Sequence, residues 1–214
     1  PVLPMDLFSR GTDVDWDTFK HIRADDYIHN YPEVLDLKVN GVSGVYDVVA
    51  LPNWRTWATT KTVSFADELG LDLDSGCVVF DFWNRKLLGV FRDRVTLQIE
   101  GHDTRALLIH PAADHPQLVG VSRHITGAYS VRELNWDGTR RTLRGVAETV
   151  PTDPYTLFVR VPEGTRALKV RANVAGGGEI PVRVERDGEL LSATFDGQRE
   201  AVGWQMDFGP ASGG

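Results

Sequence analysis

Arg166-Ala167-Leu168-Lys169-Val170-Arg171-Ala172 is the stretch that decides the fold class, because apolar and charged side chains alternate along most of it. A second stretch, Val182-Arg183-Val184-Glu185, alternates in the same way. Alternation with a period of two places one face of a strand on a core and the other face in water. The two stretches therefore predict antiparallel strands with one solvated side.

Turn residues on both sides of these stretches support the same interpretation. Trp136-Asp137-Gly138-Thr139 and Arg186-Asp187-Gly188-Glu189 each place an Asp-Gly pair between apolar runs. This pair is the strongest short-range signal for a β-hairpin. We therefore expect neighbouring strands to be joined by tight turns.

Short β-branched and aromatic runs, separated by Gly, Asp, Asn and Pro, continue from about residue 33 to residue 208. This spacing is typical of sandwiches. Helix is expected only as short turns at 15–22 and 66–69. The predicted strands cover 34–39, 45–51, 60–65, 78–83, 87–91, 95–99 and 105–110 in a first group, and 118–122, 128–136, 142–148, 155–161, 167–174, 180–185, 190–195 and 202–208 in a second group.

The two groups predict an all-β fold made of two antiparallel β-sandwich modules in series. We expect the first sandwich at 30–110 and the second at 117–209, joined by a connector at 111–116. Residues 1–29 are expected to form an extended lead-in. Residues 210–214 are small and polar, and we expect them to form a flexible tail.

Composition excludes several classes of protein. The 214 residues carry a net charge of -7, and no cluster of Lys and Arg is dense enough to hold several phosphates, so we expect no nucleic-acid partner. Apolar runs such as Cys77-Val78-Val79-Phe80 fall far short of the roughly 20 residues that a membrane span needs. A single cysteine excludes an internal disulfide, and the spacing of the six histidines predicts no metal site.

Several segments resemble a known family. They are Pro32 to Val39, Gly44-Val45-Tyr46-Asp47-Val48-Val49-Ala50-Leu51-Pro52-Asn53-Trp54, Ser64 to Leu71, and Phe80-Asp81-Phe82-Trp83-Asn84-Arg85-Lys86-Leu87-Leu88-Gly89. In order and spacing they resemble the sheet that follows the catalytic barrel in α-galactosidase (melibiase)-like glycoside hydrolases. Residues 114–120 and 123–127 resemble a second β module found in some members. The resemblance as a whole extends from about residue 32 to residue 160.

The resemblance implies a role within a larger enzyme. The family's two catalytic aspartates lie upstream in the barrel, so no position here inherits them, and we expect this chain alone to be inactive. The implied function is that of a non-catalytic C-terminal accessory region, whose partner is the catalytic (β/α)-barrel of the parent chain and which needs no cofactor. The chain begins at Pro1 with no initiator methionine and no signal sequence. We therefore expect a part of a longer protein, and the sequence assigns no compartment.

Three residues are candidates for contact with carbohydrate. Trp57 and Trp83 are predicted near loops, where an aromatic face can stack on the apolar side of a sugar ring, and Asn84 can bond hydroxyl groups. They support an alternative function, a carbohydrate-binding module that targets the parent enzyme to polysaccharide. The alternative is a structural role, in which each tryptophan packs at the end of a core or at the interface with a neighbouring domain. A self-contained enzyme and an adhesion protein are further alternatives.

Other polar and aromatic residues are predicted to be structural. The acidic spots at 13–17, 25–26 and 72–74 are predicted to be solvated turns. His110 and His115 flank the connector and are predicted to hydrogen-bond a tight junction. Cys77, Trp136 and Trp204 are predicted to lie in a core.

Overall fold

The computed structural model describes residues 32–71, 74–127, 130–174 and 177–211. Strands make up 60% and helices 3% of the structure, which confirms the predicted all-β class. The predicted lead-in at 1–29, with its helical turn at 15–22, lies outside the described residues.

The strands follow the two predicted groups along the chain. The first group contains β1 (Leu35–Gly41), β2 (Gly44–Pro52), β3 (Thr59–Ser64), β4 (Cys77–Asp81), β5 (Lys86–Phe91), β6 (Arg94–Ile99) and β7 (Thr104–Pro111). The second group contains β8 (Gln117–Val121), β9 (Val131–Asp137), β10 (Thr142–Ala147), β11 (Pro154–Arg160), β12 (Thr165–Val174), β13 (Glu179–Ile180), β14 (Arg183–Asp187), β15 (Leu190–Asp196) and β16 (Val202–Pro210).

These strands form four sheets with antiparallel pairing. The central sheet has the order β1-β2-β7-β4-β5, and a two-stranded ribbon contains β3 and β6. The seam sheet has the order β14-β15-β11-β8, and the outer sheet has the order β13-β12-β16-β10-β9.

Each group closes a hydrophobic core between two of these sheets. The first core lies between the central sheet and the ribbon, and the second lies between the seam sheet and the outer sheet, so both groups are layered as sandwiches. Cys77 lies in the first core and Trp204 in the second, as predicted. Trp136 is only half-buried, at the rim of the second core, where its ring stacks on His115 at 5.0 Å between centroids.

A third apolar cluster joins the two sandwiches face to face. Phe80 from β4 and Phe158 from β11 lie at its centre, with ring centroids 5.0 Å apart, and Val119 and Leu190 extend it. The central sheet is therefore covered on both faces, by the ribbon on one side and by the seam sheet on the other. This explains why Tyr46 to Val49 are all buried, whereas a strand with one solvated face would alternate.

The single strand predicted over 180–185 is wrong. Pro181 has no backbone N–H to donate to a ladder, and the chain leaves the outer sheet there. Ile180 ends β13, which pairs with β12, and Arg183 begins β14, which pairs with β15 in the seam sheet.

The predicted helical turn at 66–69 is confirmed as α1 (Phe65–Leu69). Ser64 caps its start, since its hydroxyl accepts a hydrogen bond from the backbone N–H of Asp67. Gly70 ends it in the left-handed conformation, at φ 66°. The helix buries Phe65 and Leu69 in the first core.

Candidate functional site

The candidate carbohydrate contacts lie at one end of the central sheet, which we call the tryptophan end and define as loop 53–58 and turn 82–85. The loop follows β2 and the turn follows β4, and both strands pair with β7, which begins at this end. Neighbouring strands lie about 4.8 Å apart, so β2 and β4 are about 10 Å apart. The sheet therefore brings Trp57 and the pair Trp83-Asn84 to the same end of the first sandwich.

Loop 53–58 is held from inside by Asn53. This residue is 2% exposed, and its amide nitrogen lies 2.8 Å from the carbonyl oxygen of Trp57, 3.0 Å from that of Ile99 and 2.9 Å from that of Glu100. Its side-chain oxygen accepts a hydrogen bond from the backbone N–H of Arg55 at 3.1 Å. The asparagine of the Asn-Trp motif thus fixes the backbone that presents the tryptophans.

Trp57 is presented to solvent at this loop. The side chain is 58% exposed, and the guanidinium of Arg55 lies 5.3 Å from its ring centroid. A cation over an aromatic face restricts the ring and is attracted to it electrostatically. Trp54 is also exposed, at 40%. The loop therefore offers aromatic surface held in a defined orientation.

Turn 82–85 is organised by Asp81. Its carboxylate is buried, and it accepts hydrogen bonds from the backbone N–H of Asn84 at 3.2 Å and from the Asn84 side-chain amide at 2.8 Å. Arg105 of β7 donates to the same carboxylate at 3.2 Å. One side-chain N–H of Asn84 is therefore engaged within the protein, which leaves its second N–H and its side-chain oxygen to meet a ligand.

Trp83 is the more exposed of the two candidate tryptophans, at 67%. Its ring meets Phe82 edge to face, with centroids 4.9 Å apart, and Phe82 packs against the cluster between the sandwiches. Arg85, the last residue of the turn, lines a cleft of about 370 Å³ together with Ser192 and Thr194 of the seam sheet. Turn 82–85 thus lies beside the seam between the two sandwiches.

A close pair of acidic groups occurs elsewhere on the central sheet. Asp36 and Asp47 lie on the neighbouring strands β1 and β2, and partial burial raises the pKa of Asp36, with a further rise from the Asp47 carboxylate. Asp47 is fully buried and accepts a hydrogen bond from the ammonium of Lys38 at 2.6 Å. Of the acidic spots predicted to be turns, Asp74 is exposed in a turn, whereas 13–17, 25–26 and 72–73 lie outside the described residues.

The histidines at the connector behave differently from each other. A ring nitrogen of His115 lies 3.0 Å from the carbonyl oxygen of Pro116, as expected for a residue that holds the junction. His110 lies at the junction, where its ring faces the backbone of Val119 in β8, but neither of its ring nitrogens makes a well-formed hydrogen bond. His110 is buried and stacks on Tyr46, with centroids 4.3 Å apart. Burial lowers its pKa to about 4, and the nearby backbone of Val119 offsets only part of that shift.

No metal or membrane element is found in the part of the chain that the structure describes. Within those ranges, no three His, Cys, Asp or Glu side chains are grouped so that they could hold a metal ion. No helix there is long and apolar enough to cross a membrane.

Sequence reasoning missed the residues that hold the tryptophan end together. Asn53, Asp81 and Arg105 are polar residues at strand ends, and each is bonded to a partner more than twenty positions away. The Asn-Trp dipeptide was the available signal for Asn53, because a buried asparagine beside a strand end usually caps a loop. Nothing local in the sequence pairs Asp81 with Arg105.

Comparison with known proteins agrees with the predicted resemblance. Residues 40–109 match the family model described as "Alpha galactosidase C-terminal beta sandwich domain". This range extends from β1 to β7, so the resemblance is confirmed for the first sandwich. The match supports an accessory domain of a glycoside hydrolase.

Among solved structures, the chain is similar to α-galactosidase I from Mortierella vinacea, with 25% identity and a TM-score of 0.31 over 39% of this chain and 22% of that chain. It is also similar to the isomalto-dextranase of Arthrobacter globiformis T6 complexed with panose, with 17% identity and a TM-score of 0.33 over 82% of this chain and 36% of that chain. The chain thus spans well under half the length of either protein. No curated protein sequence matches it.

Proposed function

We propose that this chain is the non-catalytic C-terminal accessory region of a glycoside hydrolase that resembles α-galactosidases, and that it supports a catalytic (β/α)-barrel in the parent chain. The observation that carries the proposal is the family match over residues 40–109. In this proposal, residues 30–110 form the first sandwich and residues 117–209 the second, with 1–29 as a lead-in and 111–116 as the connector.

The acidic groups of the central sheet favour a non-catalytic role. A retaining glycosidase needs two carboxyl groups about 5 to 5.5 Å apart that face a sugar in a pocket. Asp36 and Asp47 are neighbours, but Asp47 is fully buried and paired with Lys38. Neither residue lines the cleft at Arg85, nor a larger cleft on the outer sheet that Arg144 and Arg171 line. A carboxylate in this position stabilises its ion pair and has no access to a glycosidic oxygen.

The tryptophan end is the surface that fits a large protein partner. Trp54, Trp57 and Trp83 expose aromatic surface there, while Asn53 and Asp81 bond within the module. Interfaces between proteins are enriched in aromatic residues, and polar groups that are already hydrogen-bonded cost little to bury there. We therefore place the contact with the barrel at this end.

Hydrolysis of 4-nitrophenyl α-galactoside by the purified chain tests the non-catalytic role. The expected result is release of nitrophenol no faster than in buffer. Turnover that co-purifies with the chain and disappears in the double variant Asp36→Asn and Asp47→Asn would overturn the proposal. A matched control is Asp74→Asn, which changes an exposed carboxylate in a turn.

Carbohydrate binding at the tryptophan end is the second candidate function, favoured by the exposed ring of Trp57 under the guanidinium of Arg55. An aromatic face with an adjacent donor suits a sugar ring and its hydroxyl groups. Titration with melibiose, followed by tryptophan fluorescence, is expected to give a saturable shift that is lost in Trp57→Ala and kept in Trp136→Phe. Complete indifference of the wild-type chain to melibiose would leave the tryptophan end as a protein interface only.

A further inference from the structure

The outer sheet carries a cleft of about 920 Å³ on the face that points away from the second core. This volume lies within the range of about 300 to 1,000 Å³ that is typical of ligand sites. Val42, from the turn between β1 and β2 in the first sandwich, closes the side of the cleft next to β9. The polar residues that line it are Glu133, Asn135, Arg144, Arg171, Asn173 and Gln205.

Strand register brings these side chains together in two rows across four strands. One row is formed by Asn135, Arg144, Gln205 and Arg171, on β9, β10, β16 and β12 in turn. The adjacent row is formed by Glu133, Val146, Gly203 and Asn173 on the same strands. Four strands span about 14 Å. The polar surface is therefore long enough for a short chain of sugar units.

One edge of the cleft is fixed by Asp207. Its carboxylate accepts hydrogen bonds from Thr142 at 3.0 Å, Gln205 at 2.7 Å and Arg171 at 2.9 Å. Burial alone would raise the pKa of Asp207, but these hydrogen bonds and the charge of Arg171 outweigh it and lower the pKa. Arg171 and Gln205 are thus held in place, and Arg171 keeps further N–H groups free to donate.

The other polar side chains of the cleft are uncommitted. Among the described residues, the side chains of Arg144, Asn135, Asn173 and Glu133 have no hydrogen-bond or ion-pair partner. They offer both donors and acceptors, as sugar hydroxyls require. The two guanidinium groups are balanced by the carboxylates of Glu133 and Asp207, so the cleft has no net charge to favour an anion.

The floor of the cleft is open at Gly203. This glycine lies in the interior of β16, between the core residues Val202 and Trp204, and its φ is not in the left-handed region. A Cβ built there would approach nothing closer than the carbonyl oxygen of Asn173 at 3.9 Å. Gly145, on the next strand, differs, because a Cβ there would lie 2.5 Å from the Trp204 ring. Packing explains Gly145 but leaves Gly203 unexplained. A glycine inside a strand often marks a bulge, a tight bend, or the close approach of a ligand or another backbone. The pairing of β16 is unbroken at Gly203 on both sides, which argues against a bulge there.

We propose that this cleft binds a short neutral oligosaccharide, with Arg144, Asn173 and Glu133 bonding its hydroxyl groups. The apolar face of a sugar ring lies over Gly203 and beside Val146, where no side chain intervenes. Because all the polar residues of the cleft lie on the second sandwich, outside the family match, the proposal is independent of the tryptophan end and of the contact with a barrel. It adds a carbohydrate-binding role to the proposed accessory role.

Nuclear magnetic resonance of the ¹⁵N-labelled full chain tests this site. The probes are maltotriose, isomaltotriose and cellotriose as neutral trisaccharides, with sodium phosphate and trigalacturonate as anions. We expect at least one neutral trisaccharide to shift the backbone amides of residues 144–146, 171–173 and 203–205, with a dissociation constant in the millimolar range or tighter. The anions are expected to shift them less at equal concentration and ionic strength.

Variants connect the shifts to the cleft. Asn173→Ala and Arg144→Ala are each expected to weaken binding about tenfold, which corresponds to the loss of one strong hydrogen bond. Gly203→Leu is expected to abolish binding by filling the floor. Arg166→Ala is the matched control, because Arg166 is exposed on the same strand β12 and does not line the cleft. It is expected to bind as the wild type does.

Four outcomes would overturn the proposal. These are no response to any neutral trisaccharide, a response to phosphate or trigalacturonate alone, shifts confined to the tryptophan end, or binding that persists in both Asn173→Ala and Arg144→Ala. If Gly203→Leu does not fold, the two alanine variants decide the matter. None of these outcomes bears on hydrolysis of the chromogenic galactoside, so failure of this site is distinct from failure of the accessory role.

Discussion

The tryptophan end and the cleft of the outer sheet are both polar surfaces, but they use their polar groups in opposite ways. At the tryptophan end, Asn53 and Asp81 are buried and bonded to their own module. In the cleft, Asn173 and Arg144 are exposed and have no partner among the described residues. The first surface is aromatic and internally hydrogen-bonded, whereas the second is open and rich in free donors and acceptors.

This difference separates side chains that maintain the fold from side chains that are free to bind. Removal of a buried, bonded group leaves its partners unsatisfied and lowers stability, whereas removal of a free surface group leaves stability nearly unchanged. The free energy of unfolding therefore distinguishes the two surfaces before any ligand is known.

His110 breaks the pattern, because it is both buried and without a well-formed hydrogen bond, and it gives the largest expected effect. The pKa of His110 is about 4 in the folded chain, whereas an unperturbed histidine, as in the unfolded chain, has a pKa of 6.5. As pH falls from 6.5 to 4, the unfolded chain takes up a proton that the folded chain refuses. The free energy of unfolding is therefore not reduced by His110 above about pH 6.5, and it falls by about 3 kcal/mol between pH 6.5 and pH 4.

Urea unfolding at a series of pH values measures this loss. Carboxylates also titrate in the acid range, so the informative quantity is the difference between wild type and His110→Leu, whose stability should depend less on pH between 6.5 and 4. Tyr46, which stacks on His110, stays neutral throughout because burial raises its pKa to about 12. The control His124→Gln removes an exposed imidazole, and an equal change in its pH dependence would contradict the assignment to His110.

Asn53→Ala and Asn173→Ala compare the two surfaces directly. Asn53→Ala is expected to lower the free energy of unfolding by about 2 kcal/mol, because it leaves buried carbonyl groups of loop 53–58 and β6 without a donor. Asn173→Ala is expected to stay within about 0.5 kcal/mol of the wild type. Urea unfolding at neutral pH measures both variants. Equal losses in the two would show that Asn173 also maintains the fold, and would weaken the case for a binding cleft.

Local patterns were enough to predict most strands. The β-branched runs that became β2 and β7 were placed to within one residue at each end, because their turn residues are unambiguous. The alternating stretch in β12 was also a strand, but a bulge next to Leu168 breaks its register with β16 and leaves that leucine exposed. At Pro181 the same alternation conceals a change of sheet, which depends on the partner strand and not on local residue type.

The surfaces were harder to predict than the strands. Trp57 and Trp83 can be recognised as candidate binding residues from the sequence, because tryptophan is large and the flanking residues are polar. The cleft has no such signal, since Arg144, Asn173 and Gly203 are far apart in the chain and meet only through the registers of β10, β16 and β12. The seam between the sandwiches was missed for the same reason, because Phe80 and Phe158 each resemble an ordinary core residue.

Two glycines combine a small expected effect, at Gly203, with the sharpest contrast in sign. Gly203→Ala is expected to raise the free energy of unfolding by roughly 0.5 kcal/mol, because alanine loses less backbone entropy than glycine in a strand and finds open space above it. Gly101→Ala is expected to lower it by about 1 kcal/mol or more, since its Cβ would lie 2.4 Å from the backbone oxygen of Thr56 beneath loop 53–58. Thermal unfolding of both variants measures the signs. A stabilised Gly203→Ala that also binds the trisaccharide more weakly would show that the open floor serves a ligand, whereas a destabilised one would show that Gly203 is required by packing.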